Sequence, residues 1–419
     1  MTTAPARADA PRVAVVVLGD LGRSPRMQYH ALALADAGAH VDLIGYGGRP
    51  PDRAVLQHAR IQIHRLSAPL RQSAPRWLFV PAALADITLQ TVVLGGLLWA
   101  GISRPDVILV QNPPAFPTLP VARVMAWLRR ARVVVDWHNF GADLLALKMG
   151  RAHPLVGLAR AAERAFGRGA DAHLCVSEAM RERLATAWAV PSAHVLRDRP
   201  AKRPGRTPPD ERQRLVDSLD LNMTVTAPDR PAMIITSSSW TIDEDFSLLL
   251  EAMSFCDAAI QRRSDLPSML FVLTGEGRLR AQWEARVAAL ALTRVKARCL
   301  WVTADDYPRL LGAADLGLSL HRSASGVDLP MKVADMFGVG LPVCALDYGP
   351  VLGELVHDRE NGRRFSSGQQ LGELLCELFA GFPASTPTLD QLRQGVARLS
   401  TESWADGWQR EARPVLLGS

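Results

Sequence analysis

The patterned part of the chain opens with an unbroken apolar run, Val13 to Leu18, which ends in the loop Gly19-Asp20-Leu21-Gly22-Arg23-Ser24-Pro25. Continuous rather than alternating apolar residues are what a parallel strand covered on both faces requires. Apolar positions at Met27, Ala31, Leu34 and Ala35 follow at the spacing of one helical face, and the pattern stops near Gly38. VDLIGYGG then reads as a second strand with a glycine-rich end. Strand, loop, helix and strand in that order begin a doubly wound sheet. Further strands are predicted at Val107–Val110, Val133–Val135 and His173–Val176, with helical stretches between them.

The pattern then breaks and restarts. Residues 197–231 are rich in proline and charge and predict an exposed connection. Beyond them MIITSSS, SMLFVLTGEG, CLWVT, DLGLSLH and LPVCAL read as strands. DEDFSLLLEAM, RLRAQWEARVAALAL, YPRLLGAA and Met331–Phe337 read as helices. The fold class is therefore α/β, with two Rossmann-like doubly wound domains. The expected division is 1–198 for the first domain, 199–230 for the linker and 231–395 for the second domain. Residues 396–419, with Trp404 and Trp408, form a helical segment packing back toward the first domain.

One stretch fits this scheme poorly. Leu78 to Ile102 is almost wholly apolar, broken by Asp86 and Gln90, and carries no charge from Ile87 on. That charge-free part is shorter than the roughly 20 residues a spanning helix needs. Two readings stand: a buried helix of the first domain, or an interfacial helix lying on a membrane with Arg76, Trp77, Trp99 and Arg104 near its ends.

Composition narrows the classes. The 419 residues carry a net charge of +6, which favours anionic partners. Aromatics are only 6% and no basic stretch is interleaved with them, so a nucleic-acid partner is not expected. Five scattered cysteines without a CxxC exclude a disulfide scaffold or zinc ribbon. The polar N-terminus lacks the charged-then-apolar order of a signal peptide.

Ligands of open α/β sheets bind beyond the carboxyl ends of the strands, so the chemistry is sought in those loops. In the second domain they are Thr236 to Thr241 (with Ser238 and Ser239), Thr274-Gly275-Glu276-Gly277, and His321 to Asp328 with Arg322, Ser323, Ser325 and Gly326. Singly each is an ordinary polar loop; together, at successive ends of one sheet, they suit close approach of backbone N–H groups to phosphate. The last leads into a helix carrying Lys332 and Asp335, three residues apart and on one face. A helix N-terminus with a lysine is a plausible diphosphate site.

The segment HRSASGVDLPMKVADMFGVGLPV resembles the sugar-nucleotide signature of GT-B glycosyltransferases. With VVVLGDLGRSPRMQYHALALA, VILVQNPPAFPTLPVA, VVVDWHNF and TSSSWTIDEDFSLLLEAM, it is similar, in order over most of the chain, to the chitobiosyldiphosphodolichol β-mannosyltransferase family. The resemblance implies two domains facing across a cleft. It implies inverting transfer of mannose from GDP-mannose to the terminal GlcNAc of a lipid-diphosphate-linked chitobiose, in a β-1,4 linkage, without metal or cofactor. It also implies a place on the cytoplasmic face of a membrane, peripheral or monotopic. Family members usually begin with a membrane anchor, and no such run is seen here. Another polyprenyl-diphosphate-linked saccharide of bacterial polysaccharide assembly, or a non-catalytic sugar-nucleotide binder, are the alternatives.

Carried onto this sequence, the resemblance gives Lys332, Arg322 and the serines around Ser325 to the diphosphate, Asp335 to ribose, and Thr274 to Gly277 to guanine and ribose. Asp20 ranks first as general base, with His138 and Asp136 behind it. A structural histidine is the competing reading for His138, and loop anchoring for Asp136. Gly22, Arg23 and Arg26 are expected to grip the lipid diphosphate, and Gln111 and Asn112 to bond acceptor hydroxyls.

Overall fold

The computed structural model describes the chain apart from residues 1–9, 70–78, 201–203, 221–228, 239, 241–243, 304, 400–401 and 419, and the side chains of 79–84. It divides into two compact units: Met1–Asp198 with Trp404–Ser419, and Arg199–Ser403.

The first unit is built on a seven-stranded, wholly parallel sheet. Its strands are β1 (Arg12–Asp20), β2 (His40–Tyr46), β3 (Ile61–Leu66), β4 (Val107–Asn112), β5 (Arg132–Trp137), β6 (Ala172–Cys175) and β7 (Ala193–Val195). They lie in the order β3-β2-β1-β4-β5-β6-β7. The order reverses between β1 and β4, both central strands with buried apolar runs, so the loops after them and after neighbouring β5 share the usual ligand-binding edge. Trp404, Trp408, Val415 and Leu416 of the C-terminal segment join the cluster of Val13, Val15, Met27 and Leu34.

The second unit repeats the plan with six strands: β8 (Ala232–Ser237), β9 (Met269–Thr274), β10 (Val295–Leu300), β11 (Leu316–Ser319), β12 (Val343–Leu346) and β13 (Gly362–Phe365). Their order is β10-β9-β8-β11-β12-β13, reversing between β8 and β11.

Two expectations change. Residues 199–230 are not a bare linker: they carry the helix Pro209–Ser218, whose Leu215 and Val216 are buried in the second unit. Arg212 and Arg230 both reach the buried carboxylate of Asp315, at 3.3 and 2.8 Å, which fastens this segment to that unit. The strand read as CLWVT begins earlier, at Val295, and stops at Leu300; Trp301 is half exposed.

The apolar stretch after residue 78 is a helix, Phe79–Gly96, that runs into a π-turn, Leu97–Gly101. Asp86, Gln90, Leu94 and Leu98 recur every fourth residue and are buried, whereas Leu89, Val92, Val93 and Trp99 are exposed. The helix thus turns its acid and amide inward and several large apolar side chains outward. Trp77 lies outside the described residues. No described helix is long and apolar enough to cross a membrane.

Candidate active site

In the first unit the site is organised by Asp136, fully buried near the end of β5. Arg26, in the second position of the helix Pro25–Asp36, holds both its oxygens, with Nε and Nη2 at 2.7 and 2.8 Å. The other Arg26 nitrogen donates to the Leu196 carbonyl and the Asp198 carboxylate, each at 2.8 Å. Burial alone would weaken the guanidinium, but Asp136 and Asp198 outweigh it and keep it firmly cationic. Burial would likewise raise the Asp136 pKa, yet Arg26 and the flanking histidines hold it well below the usual carboxylate range.

Two histidines complete the cluster. Trp408 Nε1 donates to His30 Nδ1 at 3.1 Å, and an indole nitrogen only donates. His30 Nδ1 is therefore the acceptor, and Nε2 carries the proton toward Asp136 Oδ2 at 3.2 Å. Burial lowers the His30 pKa, in keeping with a neutral ring. His138, just past β5, sets its Nε2 2.9 Å from the same oxygen. With Nε2–H on the carboxylate, a neutral His138 keeps a lone pair on Nδ1, which has no partner among the described residues. Its ring is 23% exposed, whereas Asp136 is sealed. A buried anion orienting a partly open imidazole is the geometry of a general base.

The other expected residues of this unit fare differently. Asp20 caps the short 3-10 turn Leu21–Arg23 by accepting from Gly22 N–H at 3.0 Å, and its second oxygen accepts from Arg49 N–H at 3.2 Å. Its carboxylate ties together the loops after β1 and β2. A Cβ on Gly22 would meet the Arg49 carbonyl at 2.5 Å, so that position has a packing reason to be glycine. Arg23 is 58% exposed and 3.8 Å from Asp20. Arg26 cannot grip a lipid diphosphate, because it is 2% exposed and committed to its two carboxylates. Asn112 is equally withdrawn: fully buried, it donates to Glu163 at 2.8 Å and to the Asn139 carbonyl at 3.1 Å. Gln111 is half buried and folds onto the Pro113 carbonyl at 3.2 Å.

In the second unit the segments after β8 and β11 meet at Glu244, a buried acid outside the residues expected at the site, and the end of β9 bonds the first of them. Lys332, on the helix Met331–Gly338, donates to the Ser237 carbonyl at 2.7 Å and forms a tight ion pair with Glu244. Ser238 donates to the other Glu244 oxygen, and its backbone N–H bonds the Thr274 carbonyl at 2.8 Å. Gly275 has φ +114°, and a Cβ there would meet the Ser238 carbonyl at 1.9 Å, so only glycine fits where these loops touch. Glu276 and Gly277 are exposed. Ser239 lies outside the described residues.

The loop after β11 folds around Asp328. Its carboxylate accepts from Ser323 and Ser325 and lies 3.0 Å from His321 Nε2, while Tyr348 donates to its carbonyl at 2.9 Å. Burial would raise the Asp328 pKa, but His321 and the serine hydroxyls prevail and lower it. Gly326, at φ +74°, closes the turn with its N–H on Ser323 Oγ. Arg322 stays 61% exposed, 3.7 Å from Asp245. Asp335 is half buried; burial, followed by its charge, raises the pKa of Tyr307, whose hydroxyl donates to Ser237 at 3.0 Å. Lys332, Asp335, Ser237 and Ser238 are thus grouped at the end of β8.

Two parallel sheets, each with a polar cluster at strand ends at or next to the point of reversal, are the plan of the two-Rossmann-domain, GT-B glycosyltransferases. Solved structures agree in fold. A sucrose-phosphate synthase from Thermosynechococcus elongatus superposes with a TM-score of 0.63 at 17% identity, covering 96% of this chain and 97% of that one. The calicheamicin glycosyltransferase CalG4 gives 0.52 at 14% identity, covering 97% of each.

A glycosyl transferase 4-like domain matches residues 22–197. Over nearly the full length, chitobiosyldiphosphodolichol beta-mannosyltransferases are 39% identical in Mus musculus (98% of this chain, 90% of that protein) and 37% identical in Homo sapiens (97% and 93%). The UDP-glycosyltransferase TURAN of Arabidopsis thaliana is 41% identical, covering 97% of each. The chain belongs to the chitobiosyldiphosphodolichol beta-mannosyltransferase family and is a glycosyltransferase.

Proposed function

We propose that this enzyme moves mannose from GDP-mannose to the 4-hydroxyl of the terminal GlcNAc of a lipid-diphosphate-linked chitobiose, with inversion. The first unit supplies the base and the second holds the nucleotide. His138 Nδ1 takes the acceptor proton as the hydroxyl oxygen attacks the anomeric carbon, and the anion of Asp136 stabilises the resulting imidazolium. The bond to the β-phosphate breaks with its electron pair on GDP. Lys332, the N-terminal N–H groups of its helix and exposed Arg322 face the charge that develops there. The observation that carries this reading is the contact at 2.9 Å between buried Asp136 and partly open His138. Asp20, with both oxygens on backbone N–H groups, is the less suited base.

The acceptor's lipid brings the enzyme to a membrane surface, on the cytoplasmic face. The outward apolar residues of the Phe79–Gly96 helix and its π-turn, with Arg104 beyond, suit that contact.

Purified protein incubated with synthetic polyprenyl-diphosphate chitobiose and, separately, GDP-mannose, UDP-glucose and UDP-GlcNAc tests the reaction. A mass gain of one hexose with GDP-mannose alone, and a β-1,4 linkage in the released trisaccharide, is the expected result. Transfer from a UDP-sugar but not from GDP-mannose would overturn the donor assignment.

A further inference from the structure

Large exposed apolar side chains are distributed very unevenly. Of the seventeen among the described residues, fourteen lie between Leu89 and Phe166; only Leu56, Leu290 and Trp301 lie elsewhere. Twelve of the fourteen, all but Trp99 and Phe116, sit on helices that pack in a chain: Phe79–Gly96 on Thr118–Arg129, that on Pro154–Gly167, and that on Gly141–Met149. Trp127 is 79% exposed and Leu158 66%. Soluble helices place such residues inward.

The helix Pro154–Gly167 shows how this inversion is held. Its buried stripe is Val156, Glu163 and Gly167. Glu163 accepts from Asn112 and from the N–H groups of Gly141 and Ala142, so the helix is fastened to the body partly by polar bonds. Leu155, Leu158 and Phe166 fall on a separate stripe that nothing covers among the described residues. Arg160, Arg164 and Arg168 run alongside at every fourth position.

Charge says what covers this face. Residues 113–170 contain nine arginines and lysines and three acids. The acids Asp136, Asp143 and Glu163 are all buried. Arg160 is partly spent on Asp143 at 3.1 Å, but Arg130, Lys148, Arg151, Arg164 and Arg168 are exposed. Apolar residues rimmed by cations, with no exposed acid among residues 113–170, complement an anionic lipid leaflet, where long basic side chains keep their heads among phosphates while the stems cover hydrocarbon.

We propose that the helices spanning 118–167 form a second membrane platform beside the Phe79–Gly96 helix and insert into an anionic monolayer. This rests on the reading that the acceptor is carried by a membrane lipid, and it makes most of one flank of the first unit, rather than one helix, the docking surface.

The test is flotation of the full chain with phosphatidylcholine vesicles, with and without phosphatidylglycerol. Leu155→Ser with Leu158→Ser should weaken binding by about tenfold or more, given what two leucines contribute when buried. Thermal unfolding unchanged from wild type verifies the fold. Arg164→Glu with Arg168→Glu should abolish the preference for phosphatidylglycerol, and Trp301→Ser in the second unit should bind as wild type. Transfer to a short-chain, detergent-soluble acceptor should stay at the wild-type rate in the leucine variant while transfer to vesicle-borne acceptor falls. If transfer fails for every variant including wild type, the chemistry is misread but flotation still decides the surface. Wild-type flotation by the folded leucine variant overturns the proposal. So does a lipid-free dimer that the same substitutions dissolve.

Discussion

Lys332 and Glu244 form a pair in which the carboxylate side chain is 2% exposed and the lysine 17%. Deleting the lysine therefore does two things: it removes a cation from the proposed leaving group and strands a buried anion. Lys332→Ala should cost about 3 kcal/mol of stability, as breaking a buried pair does, and lower kcat by on the order of a hundredfold. Adding Glu244→Gln should return most of the stability but none of the turnover, read by chemical denaturation and single-turnover assays. Recovery of turnover in the double variant would remove Lys332 from the mechanism. His138 and Asp20 separate similarly. His138→Ala should lower kcat by roughly 10²–10⁴ with stability near wild type. Asp20→Ala should cost about 1 kcal/mol through its lost cap, with a kcat change of only a few-fold. The opposite ranking would return the base to Asp20.

At the scale of elements, legibility follows burial on both faces. Strands β1, β4, β5, β8 and β9 are continuous apolar runs and stand out in the sequence, because both sides of each are covered. The edge strands do not. β3 (IQIHRL) is only partly buried, β7 has three residues, and β13 is GRRF, so none offers a run to read. The helix Pro209–Ser218 carries start signals, Pro209 with Asp210 and Glu211 in the first turn, but they are submerged in a charged, proline-rich stretch. The site divides along the same line. The loops at strand ends and Lys332 were visible from local order. The burial of Arg26 was not, since its partners Asp136 and Asp198 are 110 and 172 residues away. Nor was the link from the C-terminal segment to His30, 378 residues away, made by Trp408. Trp408→Phe keeps the ring packing but strands His30 Nδ1, and should cost about 1–2 kcal/mol by denaturation. An unchanged midpoint would mean that this bond is not needed to seat the segment.

At the scale of the whole molecule, burial lowers the pKa of two histidines of the first unit, His30 and His173. His173 is 5% exposed and accepts from Trp137 Nε1 at 3.2 Å; burial lowers its pKa from 6.5 to about 4. A group whose pKa is lower in the folded state binds more protons when unfolded, so its contribution is complete above pH 6.5 and shrinks as pH falls toward the folded value. For His173 that window runs from 6.5 down to about 4, and its full span corresponds to about 3 kcal/mol. His30 acts in the same direction. Glu163 opposes them near the bottom of the window, because burial raises its pKa and protonation then favours the fold. The lowered carboxylates Asp136 and Asp328 lose their contribution only further down, below about 3.8. Between pH 7 and 5 the first unit should therefore weaken, and calorimetry should show its transition moving down. His173→Gln, whose carbonyl can still accept from Trp137, should flatten the dependence of that transition. An unaltered slope in that variant would place the acid sensitivity elsewhere in the first unit.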